Sequence, residues 1–120
     1  MNRPSDDSSR IARVDEPHFQ QEVLSASQPV LVTFLAPCSQ SCQGLIPALE
    51  DVAALLAGTL KVLQVDVEDN VNLSMSYEVQ VIPTLLCFLN GRVRVRIVGA
   101  IEKEDILAKL RPFLPANPSP

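Results

Sequence analysis

Apolar positions along this chain fall into two patterns that alternate, dense runs and stripes at helical spacing. "PVLVTFLA" (29–36) is continuous and rich in β-branched residues, which marks a strand covered on both faces. "LKVLQVDV" (60–67) reads as a second central strand and "PTLLCFL" (83–89) as a third. Asn90-Gly91 is a hairpin turn leading to "RVRVRIVG" (92–99). Between these runs the period becomes helical. "DEPHFQQEVLSAS" (15–27) has Asp15 as N-cap, Pro17 in the first turn, and Phe19, Val23 and Leu24 on one face. From Ser39 to Ala57 a long helix places Leu45, Leu49, Val52 and Leu56 on one side, with Pro47 expected to kink it. "NVNLSMSYE" (70–78) is a short helix, "EKEDILAKLRPFL" (102–114) an amphipathic one, and "RIARV" (10–14) a short first strand.

The order β-α-β-α-β-α-β-β-α predicts an α/β fold: a central mixed sheet of about five strands with helices on both faces. Strands joined by helices are expected to run parallel, and the final hairpin antiparallel. Strict alternation in "RVRVR" predicts valines facing the core and Arg92, Arg94 and Arg96 sharing the other face. That reads as a charged edge that blocks edge-to-edge pairing, in preference to an anion- or partner-binding stripe. Residues 10–114 are expected to form one domain. The Pro/Ser-rich stretches 1–9 and 115–120 read as flexible ends.

Composition narrows the function classes. In 120 residues, 47% are hydrophobic and 20% charged, enough apolar material for a packed core. A net charge of −4 argues against a nucleic-acid partner. No apolar run approaches the roughly 20 residues of a membrane span. The polar start "MNRPSDDSSR" lacks the apolar centre of a signal peptide. A cytoplasmic protein with reduced thiols is the expectation.

Candidate chemistry concentrates where a strand meets a helix, in "FLAPCSQSCQGLIP" (34–47). Residues three apart at a helix start have Cα atoms roughly 5–6 Å apart, which suits a disulfide. Cys38 lies one step further out, so its Cα is expected roughly 8–10 Å from that of Cys42, beyond the ~7 Å limit. A bridge between them would require the first helical turn to unwind. Cys42 sits in that first turn, where the dipole and free N–H groups favour a thiolate. Three roles stay open for it: a small buried hydrophobe, a thiol that forms mixed disulfides or a sulfenic acid, and a catalytic thiol. Ser39 reads as the helix N-cap, worth about 1 kcal/mol, with no base nearby to activate it. Cys38 is expected to be exposed, as a surface accident or as a contact or sensor residue. Cys87, within "LLCFL", reads as core. His18 is the single histidine and lies in the first helix. Two thiolates without a third ligand make a poor metal site, so neither metal nor cofactor is expected.

The element order and local motifs together resemble the thioredoxin family over about residues 10–114. "VTFLAPCSQSCQGLIP" matches its strand, active-site loop and kinked helix; Tyr77 and "VIPT" (81–84) match its cis-proline segment; Asn90-Gly91 and Gly99 match its last hairpin. The resemblance implies a cis bond at Ile82-Pro83. It also implies a peptide-binding groove formed by Cys38, Val81, Ile82, Pro83, Gly99 and Ala100. Three positions depart from the family. Its CxxC falls on Ser39-Gln40-Ser41-Cys42, so a serine stands where the attacking cysteine is expected. Its buried aspartate falls on Thr33, and the lysine partner of that aspartate on Gln64. Ser-Gln-x-Cys also resembles the thioredoxin domain of the chaperedoxins, bacterial holdase co-chaperones. That likeness implies protein partners, such as a molecular chaperone or oxidised clients. The repeat-dependent part of the chaperedoxin role is not carried over. A CxxxC loop with a distant histidine is similar to the copper-binding assembly proteins of the same fold, but His18 falls in the wrong element. The expected function is a protein-binding module without ordinary dithiol reductase activity. The alternative is a thiol-disulfide oxidoreductase working through Cys42, with or without Cys38.

Overall fold

A computed structural model describes residues 11–36, 39–99 and 101–114. The expected flexible ends, 1–9 and 115–120, lie outside the described residues. Strand β1 (Ala12–Arg13) is followed by α1 (Glu16–Phe19), which widens into a π-helical turn (Gln20–Leu24). Then come β2 (Val30–Leu35), α2 (Gln40–Leu55), β3 (Lys61–Asp66), α3 (Val71–Ser76), β4 (Thr84–Leu89), β5 (Arg92–Val98) and α4 (Lys103–Leu110), ending in a 3-10 turn (Arg111–Phe113). The five strands form one mixed sheet in the order β1-β3-β2-β4-β5. The α/β architecture is therefore the expected one.

The local reasons are readable. Asp15 caps α1, its carboxylate accepting from the His18 N–H at 3.2 Å, and Pro17 occupies the first turn. The first helix ends at Leu24 rather than at residue 27, because its last turn opens: Ser25 N–H donates to Gln20 O, five residues back. Asn90 (φ 54°) and Gly91 (φ 79°) both adopt the left-handed conformation that a tight hairpin turn needs. A Cβ at Gly91 would also crowd the chain, lying 3.0 Å from Leu24 O. Pro47 lies inside α2, on its exposed side.

Burial divides by strand alternation. Leu31 packs with Leu45, Leu49 and Val52 of α2 and Ile106 and Leu110 of α4 on one sheet face. Val30, Val32 and Phe34 pack with Phe19 and Val23 of the first helix and Leu73 of α3 on the other. Tyr77 completes the second layer, its ring centroid 5.3 Å from that of Phe88 and 5.7 Å from that of Phe19. No helix among the described residues is long and apolar enough to cross a membrane.

Two expectations are corrected. β4 follows a helix yet runs antiparallel, pairing with β2 as Val30↔Phe88 through Phe34↔Thr84. The six residues of α3 span only ~9 Å. A six-residue strand is ~20 Å long. β4 starts at the end of the sheet where β3 stops: Leu35 pairs with Asp66 and the neighbouring Phe34 with Thr84. The arginines of β5 do not share a face either. A register shift at Cys87/Phe88 sets Cys87 opposite Val95 but Phe88 opposite Val93. Val95 accordingly packs against one core layer and Val93 against the other. Arg94 lies over the Phe113 ring at 5.4 Å, whereas Arg96 donates to Tyr77 O at 2.8 Å.

Candidate functional site

The direction of β4 builds the site. Because Phe34 pairs with Thr84, the end of β2 and the start of β4 lie side by side. Beyond Phe34 the chain passes Leu35 and Ala36 and enters the cysteine loop. Just before Thr84 lies Ile82-Pro83, whose peptide bond is cis. Pro83 is buried and Ile82 half-buried, while Val81 is 48% exposed. The Thr84 hydroxyl donates to Val81 O and closes this turn. On the far side of Thr84 its pairing partner is Val98, 46% exposed, followed by Gly99 at φ 98°. Val81, Ile82, Pro83 and Gly99 therefore meet at the end of the sheet where the cysteine loop leaves β2. Val98 belongs to the same rim and was not singled out by sequence reasoning. Its exposure follows from a strand that ends there, and alternation alone does not reveal it. Cys38 and Ala100 lie outside the described residues.

Cys42 lies in the first turn of α2 with 1% of its surface exposed. Its Sγ accepts the Ala36 N–H at 3.5 Å, so the sulfur is drawn back against the end of β2. The thiol is free. Ser39 stands at the N-cap position with extended backbone (φ −85°, ψ 129°), but its side chain makes no capping hydrogen bond. The position was anticipated and the bond was not found. The backbone of Ser39 is bonded on both sides: its N–H donates to Ala36 O, and its carbonyl accepts the first helical bond from Gln43 N–H, both at 3.0 Å.

Beneath the cysteine helix lies the pair Thr33 and Gln64, opposed on the parallel strands β2 and β3. Both are buried, Thr33 completely. Gln64 Nε2 donates to Ile11 O at 2.7 Å, while Thr33 Oγ1 has no hydrogen-bond partner among the described residues. Cys87 is buried in β4, and burial pushes its thiol up to about 11. His18 is held by Asp15, Nδ1 to Oδ1 at 2.6 Å, and this hydrogen bond holds the Asp15 carboxyl below its usual range.

A pair that sequence reasoning missed links two helix starts. Glu16 N–H donates to Asn70 Oδ1 at 3.0 Å, and Leu73 N–H donates to Glu16 Oε2 at 2.9 Å. Each residue caps the helix of the other. At 54 residues' separation no local spacing could reveal it.

The thioredoxin family model matches residues 10–112. The chain belongs to the thioredoxin family. It is 37% identical over 110 residues to thioredoxin of Pseudomonas aeruginosa, covering 92% of this chain and 98% of that protein. It is 34% identical over 106 residues to thioredoxin 1 of Nostoc sp., covering 88% and 99%. It is 36% identical over 107 residues to thioredoxin of Mycobacterium tuberculosis, covering 89% and 92%. Against this thioredoxin frame Ser39, Thr33 and Gln64 are the informative residues. A hydroxyl, a second hydroxyl and an amide stand at the end of β2 and beneath α2, where the family resemblance leads one to expect a thiol, a carboxyl and an amine.

Proposed function

We propose that this thioredoxin-family chain is a protein-binding module that does not run an ordinary dithiol cycle. The observation that supports it most is the Thr33–Gln64 pair, buried beneath Cys42 and holding no ionisable group. A two-sulfur cycle needs a nucleophile and a group to take the second sulfur's proton. Ser39 stands at the nucleophile position without a base, and neither Thr33 nor Gln64 titrates in the physiological range. What remains is the binding edge. The half-exposed Val81, the Ile82-Pro83 turn and Gly99 offer backbone and apolar contacts to an extended peptide, as in strand addition. Cys38 and Ala100 would extend that edge. The partners are peptide segments of proteins, among them oxidised clients or a molecular chaperone.

A second reading rests on the free Cys42 thiol in the first turn of α2, whose sulfur accepts the Ala36 N–H. Deprotonated, it would attack a disulfide, form a mixed disulfide through Cys42, and expel the other half as a thiolate. An external thiol would then be needed for release. Insulin reduction with a thioredoxin reductase and NADPH separates the readings. The binding module gives turnover at least a hundred-fold below that of a thioredoxin assayed alongside, while suppressing aggregation of an unfolding client. Turnover near that of a thioredoxin would overturn it.

A further inference from the structure

We infer that the outer edge of β5 takes an acidic, extended segment of a partner protein as a sixth strand. The inference goes beyond the functional reading: this edge is separate from the Ile82-Pro83 turn and stands whether or not that turn binds peptides. The sheet has two outer strands, β1 and β5. β1 offers two residues, whereas β5 offers seven, Arg92–Val98, and pairs on one side only, with β4. In an antiparallel ladder, alternate residues turn their N–H and C=O away from the neighbouring strand. The free side of β5 is therefore a row of backbone donors and acceptors. Among the described residues, no backbone group outside β4 bonds to it.

Charge selects the occupant. The chain carries a net charge of −4, yet three of its 10 lysines and arginines stand in β5: Arg92, Arg94 and Arg96. No aspartate or glutamate occurs between Glu78 and Glu102. All three arginines are exposed, and none is in an ion pair among the described residues. The register shift leaves Arg94 with no residue opposite it on β4. Its guanidinium lies over Phe113 on one sheet face, while Arg96 reaches Tyr77 O on the other. The two cations thus flank the edge from opposite faces. Arg96 gives one Nη2 donor to Tyr77 and keeps other guanidinium N–H groups for a carboxylate. A second copy of this chain does not fit, because two β5 edges side by side would set arginine against arginine. A strand bearing aspartate or glutamate turns that repulsion into cross-strand pairs of opposite charge. The same arginines therefore block a like edge and admit an acidic one. A single-stranded oligonucleotide would meet the charge but has no strand backbone to pair.

The test titrates a synthetic peptide alternating glutamate and threonine into the full-length, 15N-labelled protein. The amide resonances of β5 should shift, and their hydrogen exchange should slow. The same peptide N-methylated at alternate residues lacks the donors for a ladder and should not bind. Replacing all three arginines by glutamate should weaken binding by about ten-fold or more, whereas replacing all three by lysine should retain it. Should the triple glutamate variant fail to fold, Arg92→Glu alone should weaken binding about three-fold. Arg92 takes part in neither the Phe113 nor the Tyr77 contact. The inference is overturned by an acidic peptide that leaves the β5 amides unmoved, or by a lysine–threonine peptide that binds as well. It is equally overturned if the N-methylated peptide or an oligothymidylate binds as tightly, since charge alone would then suffice.

Discussion

Thr33 and Gln64 face each other across β2 and β3, yet the Gln64 amide donates to Ile11 O and the Thr33 hydroxyl has no partner among the described residues. The pair is thus two separate neutral groups, one anchored to the first strand region and one not. Charge placed on either alone would be buried without compensation.

That arrangement sets a double-mutant cycle. Thr33→Asp and Gln64→Lys should each destabilise the fold by about 3 kcal/mol, the scale of an unpaired buried charge. The double variant should recover at least ~1 kcal/mol of their sum, because opposed charges on neighbouring strands can pair. Urea denaturation at neutral pH measures all four corners. Strict additivity would show that the two positions are not within pairing reach.

Ser39→Cys should rebuild a CxxC disulfide, detectable as a loss of two hydrogens by mass spectrometry, while insulin reduction stays far below a thioredoxin's. The new nucleophile would still lack a group to manage the Cys42 proton. Full activity from this single change would show that the residues beneath α2 are irrelevant to turnover.

The two helix caps should behave differently. Asp15→Ala removes a side chain that accepts the His18 N–H and should lower stability by about 1 kcal/mol. Ser39→Ala removes a side chain that makes no such bond and should stay within about 0.5 kcal/mol of the native chain. Urea midpoints of both variants decide it.

Cys87 predicts an alkaline limb. Its folded thiol is raised from an ordinary 9.0 to about 11 by burial. The stability this contributes is therefore fully present below pH 9 and is lost as pH rises through about 11, because the unfolded chain releases the proton first. Cys87→Val should flatten the decline in urea midpoint between pH 9 and 11 relative to the native chain. Parallel declines in both proteins would assign the limb to other groups.

Much of the molecule is legible in the chain because its signals are local. Asn90-Gly91 specifies its turn, Asp15 its cap, and the run from Val30 to Leu35 its buried strand. The cysteine loop is marked by the junction of two periods. The features that escape depend on lengths and distant partners. The direction of β4 is set by its pairing with β2, a strand distant in sequence. The split of the β5 arginines follows from one register shift at Cys87/Phe88, which alternation within "RVRVR" does not encode. That the Ser39 hydroxyl makes no capping bond is likewise not encoded in its position before the helix.

The exchange of caps between Glu16 and Asn70 has a dynamic meaning. Neither helix start can open without exposing an amide of the other, so the chain's entry into the sheet and the segment that leads to Pro83 form one opening unit. Asn70 also donates to Asp66 O, which fastens that unit to the last residue of β3. In amide hydrogen exchange, Glu16 and Leu73 should lose protection together despite their distance in sequence. A ligand that tightens the turn around Val81 would then be felt at the first helix, on the strength of two side chains.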